Sequence, residues 1–469
     1  MLEDPSFPFS RDLSNNCEQE SNWIFDGFKL IETTNFKRKS QDELGNSLKF
    51  LKIDKTRDME VDFLKLSLSL VSVPTENVES LEDPPNSIEN GGDSSENVES
   101  LEDPSDSIEN DGYHSDTSSY IHQIGKDNSI DCIARCSRSD YGSIASVNRN
   151  FRSLIEGTML YKLRRKMGIV EHWIYFSCSL LEWEVFDPIR LRWKHLPKMP
   201  SNDCFMHSDK ESLAVGTELL VFGKGIMNHL IYKYSLLTNS WSTGMEMNTP
   251  RCLFGSATLG EIAIVAGGCD FSGNIFSSAE LYNSDTGTWV TLPSMHKARK
   301  KCSAVFMDGK FYVVGGLGVE NTNPLTCGEV FDLERRIWTE IPDMLPLRNA
   351  EPGATGASAM SEAPPLLTVV NNDLYAADYA RKEVRKYCKS SNSWATVGSL
   401  PDTAVSMHGW GLAFRGCGDK LIVLGGPRAL DRGYIEVNSW APSEIPQRWT
   451  VLGRKQSGGF VYNCAIMGC

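Results

Sequence analysis

The chain has 469 residues, a formal net charge of -14 and 13 cysteines, room for one large domain and a smaller companion. The acidity is local: between Lys65 and Lys126 there are 14 Asp and Glu and no Lys or Arg, so the remainder is formally neutral and lacks the concentrated basic face that nucleic-acid binding requires. The cysteines are odd in number and scattered without CxxC pairs, which argues for reduced thiols in the nucleus or cytosol; the start shows no basic-then-apolar signal layout, and no apolar run approaches the ~20 residues of a membrane span.

Residues 1–120 read as a disordered acidic region. Glu76-Asn77-Val78-Glu79-Ser80-Leu81-Glu82-Asp83-Pro84 returns twenty residues later as Glu96-Asn97-Val98-Glu99-Ser100-Leu101-Glu102-Asp103-Pro104. Such Ser-, Asn- and Pro-rich sequence buries too little apolar surface to offset chain entropy. Ser80 and Ser100 each precede an acid at the third following position, which fits an acid-directed kinase site, a capping box or a plain solvated linker. Lys37-Arg38-Lys39 fits a nuclear-import signal or a chance basic triplet.

Residues 121–168 change periodicity and read as a small three-helix unit. Ile130, Ile133 and Ala134 stand at helical spacing; Ser139 caps a second helix in which Tyr141, Ile144, Val147, Phe151, Leu154 and Ile155 recur every three or four residues, and Met159 to Met167 makes a third. About 45 residues are few for an independent core, so the unit is expected to lean on a partner.

Residues 169–469 are organised by a repeat counted on tryptophan. Trp193, Trp241, Trp289, Trp338, Trp394 and Trp449 are 48, 48, 49, 56 and 55 residues apart, the period of a four-stranded propeller blade, and six markers predict six blades. A glycine pair ends the second strand at Gly267-Gly268, Gly315-Gly316 and Gly425-Gly426. An aromatic marks the third strand at Phe186, Tyr234, Tyr282, Phe331 and Tyr387. The first unit lacks an innermost strand, and the lone strand at 457–467 is expected to supply it and close the ring.

These residues resemble kelch repeats, and a kelch domain is a β-propeller. The helical unit, through Asp131 to Tyr141, Ser146 to Ile155 and Leu160 to Arg165, resembles an F-box, although Ile124-Gly125-Lys126-Asp127 stands where many F-boxes open with Leu-Pro. Together they are similar to the plant F-box/kelch-repeat family over residues 121–469. The resemblance implies an all-β, six-bladed kelch propeller behind a helical F-box unit. It further implies a non-catalytic substrate receptor of a Skp-cullin-F-box ubiquitin ligase: the helices, through Ile130, Ile133, Tyr141, Ile144, Val147, Phe151 and Leu154, would dock a Skp-type adaptor and through it a cullin, while the propeller holds a target protein. A kelch scaffold without a ligase role is the alternative.

No catalytic constellation is visible: the eight histidines are dispersed, and no HExxH, GxSxG or strand-linked GxGxxG occurs, so no metal and no cofactor are expected. The target site is expected in loops at the ring's mouth. Arg251, Arg299 and Arg348 follow the fourth strands of successive units; the resemblance implies that they grip acidic segments of the target, and the competing reading pairs each with an acid of its own repeat. The insertion at 349–365 is expected on the same face. Loops after the second strands, with Asp270, Phe271 and Asn274, Asn321 and Asn323, Asp378, Tyr379 and Arg381, and Arg428, Asp431 and Arg432, are expected to line the opposite rim.

Overall fold

The structure is a computed structural model that describes residues 121, 124–179, 181–200, 206–225, 228–319, 324–345, 362–427, 433–444 and 447–469. The expectations for residues 1–120, and those for Arg348, Asn321, Asn323, Arg428, Asp431 and Arg432, lie outside these residues.

Six four-stranded antiparallel sheets are arranged as a ring. The alternation of the sequence explains them: second strands such as Ile262–Ala266 and Glu218–Lys224 are nearly continuous apolar runs, because they are covered on both faces by the neighbouring blades. In blades two to six the first and second strands are joined by two-residue turns with residues of positive φ, among them Gly216, Gly260, Asp308, Asn371, Asn372 and Gly418, the geometry that suits the twist of a hairpin. Innermost strands of adjacent blades pack on one another all the way round.

The first blade is built from distant parts of the chain. His172–Ser177, Trp183–Asp187 and Arg192–His195 are completed on the inside by Asn463–Gly468, in register from His172 opposite Gly468 to Ser177 opposite Asn463. The expected strand at 457–467 therefore begins later; Val461 and Tyr462 instead bond backbone groups of Gly411 and Ser177 and tie the sixth blade to the first.

The repeat tryptophans have two jobs. Each stacks on the third-strand aromatic of its own blade: ring centroids lie 4.5 Å apart for Phe186 and Trp193, 5.4 Å for Tyr234 and Trp241, 5.0 Å for Tyr282 and Trp289, 5.0 Å for Phe331 and Trp338, and 5.3 Å for Tyr387 and Trp394. In five of them the indole N–H also donates to a carbonyl at the end of the preceding blade: Trp241 to Pro197, Trp289 to Met245, Trp338 to Pro293, Trp394 to Met344 and Trp449 to Ser399, at 2.7–2.9 Å. A buried indole N–H needs an acceptor. Here that need binds one blade to the next.

The N-terminal unit has four α-helices rather than three: α1 (Gly125–Arg135), α2 (Tyr141–Val147), α3 (Arg149–Ile155) and α4 (Thr158–Lys166). The single helix expected from Ser139 to Ile155 is broken at Asn148. Its backbone is extended, and its side-chain oxygen accepts from the Phe151 N–H at 2.8 Å, so it starts a new helix instead of continuing the old one.

Candidate functional site

In a four-stranded antiparallel blade the connections alternate between the two faces of the ring. Those after the second and fourth strands emerge on one face, and those after the first and third on the other. The second-strand loops therefore share a face with the arginine loops and do not line the opposite rim. A direct contact agrees: Arg251, after a fourth strand, donates to the carbonyls of Gly267 and Ser278, which flank the loop after a second strand.

Arg251 and Arg299 do not reach outward from this face. Arg251 is 1 % exposed and Arg299 is 0 % exposed. Arg251 bonds Glu280 at 2.6 Å, besides Gly267 O at 3.1 Å, Ser278 O at 2.7 Å and Thr249 O at 3.0 Å. Arg299 repeats the pattern with Glu329 at 2.7 Å, Gly315 O at 3.0 Å and Cys327 O at 3.1 Å. The carboxylates are used as fully: Glu280 accepts from the backbone N–H groups of Asn248 and Thr249, and Glu329 from those of His296 and Lys297. A buried charge must be paired and hydrogen-bonded, and here the fork of donors fixes two loops of one blade to its third strand. The expected grip on an acidic target is thus corrected for Arg251 and Arg299, whose guanidinium groups are internal struts.

Other groups form the exposed part of this loop face. Phe271, 40 % exposed, stacks on His229 with centroids 4.1 Å apart, and the Lys224 ammonium lies 5.7 Å from its ring. Asp270 closes the loop by accepting from the backbone and side-chain N–H groups of Asn274 at 2.9 and 2.8 Å. Val319, Val405 and Met407 are exposed apolar side chains on neighbouring loops. Nothing in the repeat requires them.

The opposite face carries the helical unit. Ser139 donates to Asp187 at 2.8 Å and Arg190 reaches Asp140 at 3.0 Å, both at the third turn of blade one; Lys162 pairs with Asp285 at 2.8 Å and Arg165 with Glu261, on the turns of blade three. Between these contacts the helices share a single apolar cluster with the ring: Ile133, Tyr141, Phe151 and Leu160 pack with Trp173, Tyr175, Trp183 and Met467. Two arginines seal the seam. Arg138 lies 4.3 Å from the Trp173 ring and donates to Glu171 O at 2.9 Å and to the Tyr175 hydroxyl at 3.3 Å, while the fully buried Arg164 donates to Ala134 O at 2.7 Å and to the Tyr141 hydroxyl at 3.0 Å.

This docking divides the residues expected to face an adaptor. Ile133, Tyr141 and Phe151 are buried against the ring, which corrects their assignment to an outer surface; Ile130, Ile144 and Leu154 are half-buried. Only Val147 of the seven is largely exposed, at 68 %, and it is joined by Met159 at 73 % and by Ile121 and Ile124. Periodicity marks the apolar residues of a helix whether they face the ring or solvent, so spacing alone could not separate Ile133, Tyr141 and Phe151 from Val147.

Two adjoining segments, residues 250–296 and 298–345, match the Kelch motif; they are the third and fourth blades with their arginine loops. Over 479 aligned residues the chain is 52 % identical to the F-box/kelch-repeat protein At1g74510 of Arabidopsis thaliana, and the alignment covers all of both chains. The chain belongs to the F-box/kelch-repeat family. It is also 59 % identical to the F-box/kelch-repeat protein At1g26930 over 76 % of this chain and 85 % of that one, and 60 % identical to the F-box/kelch-repeat protein SKIP11 over 76 % of each, both from Arabidopsis thaliana. Among the described residues of this family member, no group of three or more His, Cys, Asp or Glu could hold a metal ion, and no helix is long and apolar enough to cross a membrane.

Proposed function

We propose that this chain is the substrate receptor of a Skp-cullin-F-box ubiquitin ligase. The helical unit docks a Skp-type adaptor through its outward side, around Val147 and Met159, and the loop face of the propeller holds the target protein. The observation that carries the reading is the placement of the helices: among the described residues they occupy the turn face of the ring and leave Phe271, Val405 and Met407 exposed on the loop face. Adaptor and target then approach from opposite sides. The chain supplies proximity, and the covalent transfer of ubiquitin belongs to an enzyme brought by the rest of the complex. A location in nucleus or cytosol is part of the proposal, and a fluorescent fusion of the full chain tests it.

The buried placement of Ile133, Tyr141 and Phe151 favours a second reading, a kelch scaffold whose helices serve the ring alone. Co-expression of the full chain with a Skp-type adaptor decides between them. The receptor reading expects co-elution and a dissociation constant at or below about a micromolar, roughly -8 kcal/mol, lost in a Val147→Asp, Met159→Asp double variant whose melting curve is unchanged. Absence of any complex with the unsubstituted chain leaves the scaffold.

A further inference from the structure

Two cysteines of the loop face stand where a covalent bond between them is within reach. Cys252 follows Arg251 on the way into blade three, and Cys269 follows the glycine pair Gly267-Gly268. Their backbones form an isolated antiparallel bridge, with N–H to O distances of 3.0 and 2.8 Å in the two directions. Residues that exchange both hydrogen bonds have Cα atoms about 5.5 Å apart, inside the roughly 4.4–6.8 Å that a disulfide spans. The two sulfurs already touch at 3.9 Å.

We propose that Cys252 and Cys269 are a redox modification site, forming an intramolecular disulfide on exposure to a small hydroperoxide and returning to thiols under reduction. Their surroundings assign the two roles. The two sulfurs share a hydrogen bond, and with the Lys300 and Lys224 ammonium groups nearby this draws the Cys269 thiol below its usual range despite burial. The same hydrogen bond, together with burial, holds Cys252 well above it. Cys269 is therefore the attacking thiolate and Cys252 the resolving thiol. Elsewhere in the ring burial disfavours the thiolate: it pushes the Cys302 and Cys464 thiols up to about 11 and those of Cys417 and the half-buried Cys178 to about 12.

The chemistry closes without a further reactant. The Cys269 thiolate attacks one peroxide oxygen, an S–O bond forms, the O–O bond breaks, and the departing hydroxide becomes water by taking a proton from solvent. The sulfur of Cys252 then attacks that of the sulfenic acid. The S–S bond forms, the S–O bond breaks, and the leaving hydroxide carries off the Cys252 proton as a second water. Two thiols lose two electrons and hydrogen peroxide gains them. With Cys252 3 % and Cys269 0 % exposed, the pair is closed to a bulky disulfide such as oxidised glutathione, hence the small peroxide as the proposed oxidant. The product would join the loop after a fourth strand to the loop after a second strand, whatever the face binds.

The test uses the reduced full chain, hydrogen peroxide and mass spectrometry after alkylation of all remaining thiols. No Lys or Arg lies between the two cysteines, so trypsin leaves them on one peptide, whereas cleavage at Glu261 separates them. The expected result is a Cys252–Cys269 cross-link that dithiothreitol removes, undiminished by Cys388→Ser. That control matters because Cys388 is exposed and its thiol is drawn down to about 7 by the Ser390 and Ser391 hydroxyls. In Cys252→Ser, Cys269 should be trapped as a sulfenic acid by dimedone. Full alkylation of both cysteines after peroxide treatment, or a bridge from either to a third cysteine, overturns the proposal; mapping on the unsubstituted chain decides this even if a variant fails to fold.

Discussion

The Arg299–Glu329 pair shows how one side chain can carry a loop. Removing either partner leaves the other charge buried, and removing Glu329 also orphans the backbone donors of His296 and Lys297. Arg299→Ala or Glu329→Ala is expected to lower stability by about 3–5 kcal/mol, whereas Lys162→Ala, which breaks a pair with both partners well exposed, should cost no more than about 1 kcal/mol; urea midpoints measure both. His229 makes a second prediction. Burial first, then the Lys224 charge, lowers its imidazole to about 4, with Asp270 opposing, so the unfolded chain binds a proton near the ordinary value of about 6.5 that the folded chain refuses. Stability from this residue is complete above that value and declines as pH falls towards 4. His229→Phe should flatten that slope in melts run from pH 7 to pH 4.5. The arginines were visible in the sequence but their role was not, because both readings need the same residue at the same place. The repeated offsets of 29 residues from Arg251 to Glu280 and 30 from Arg299 to Glu329 were the signal that favoured pairing within the blade.

Among the elements, strands were the more legible. Each blade must bury the same aromatic pair, so tryptophan spacing carries the architecture. The sixth blade was harder to read because its third strand, Tyr434–Trp440, ends in Trp440, which packs edge-on against Trp449 in place of a Tyr or Phe. The helix break was missed for a local reason: apolar spacing runs through Asn148 without a phase change, and only the side-chain bond to Phe151 N–H reveals the cap. Asn148→Ala should cost about 1 kcal/mol and shift the melting curve accordingly. The glycine pair is less forgiving. At Gly268, φ is +91° and an added Cβ would lie 2.6 Å from Cys252 O. Gly268→Ala is expected to destabilise more than Asn148→Ala in the same denaturation assay, since the clash is with backbone that cannot step aside.

For the molecule as a whole, the shared cluster of helices and ring makes two nominal domains one cooperative body. Phe151→Asp buries a charge between them, and helical circular dichroism and tryptophan fluorescence should report one lowered transition rather than a lost helical signal above an intact ring. Removing residues 463–469 should do more. It strips blade one of its inner strand, exposes a sheet edge and an aromatic face, and is expected to abolish the cooperative transition in both probes.

That closing strand also orders events during synthesis. Its partner His172–Ser177 leaves the ribosome about 290 residues earlier, which at roughly 5–20 residues per second is a wait of about a quarter of a minute to a minute. Throughout that interval the nascent propeller is a horseshoe with two raw ends, and the helices rest on a first blade that is still one strand short. Closure of the ring therefore waits until Asn463–Gly468 has been made, and until then the first blade presents an unpaired sheet edge to whatever it meets.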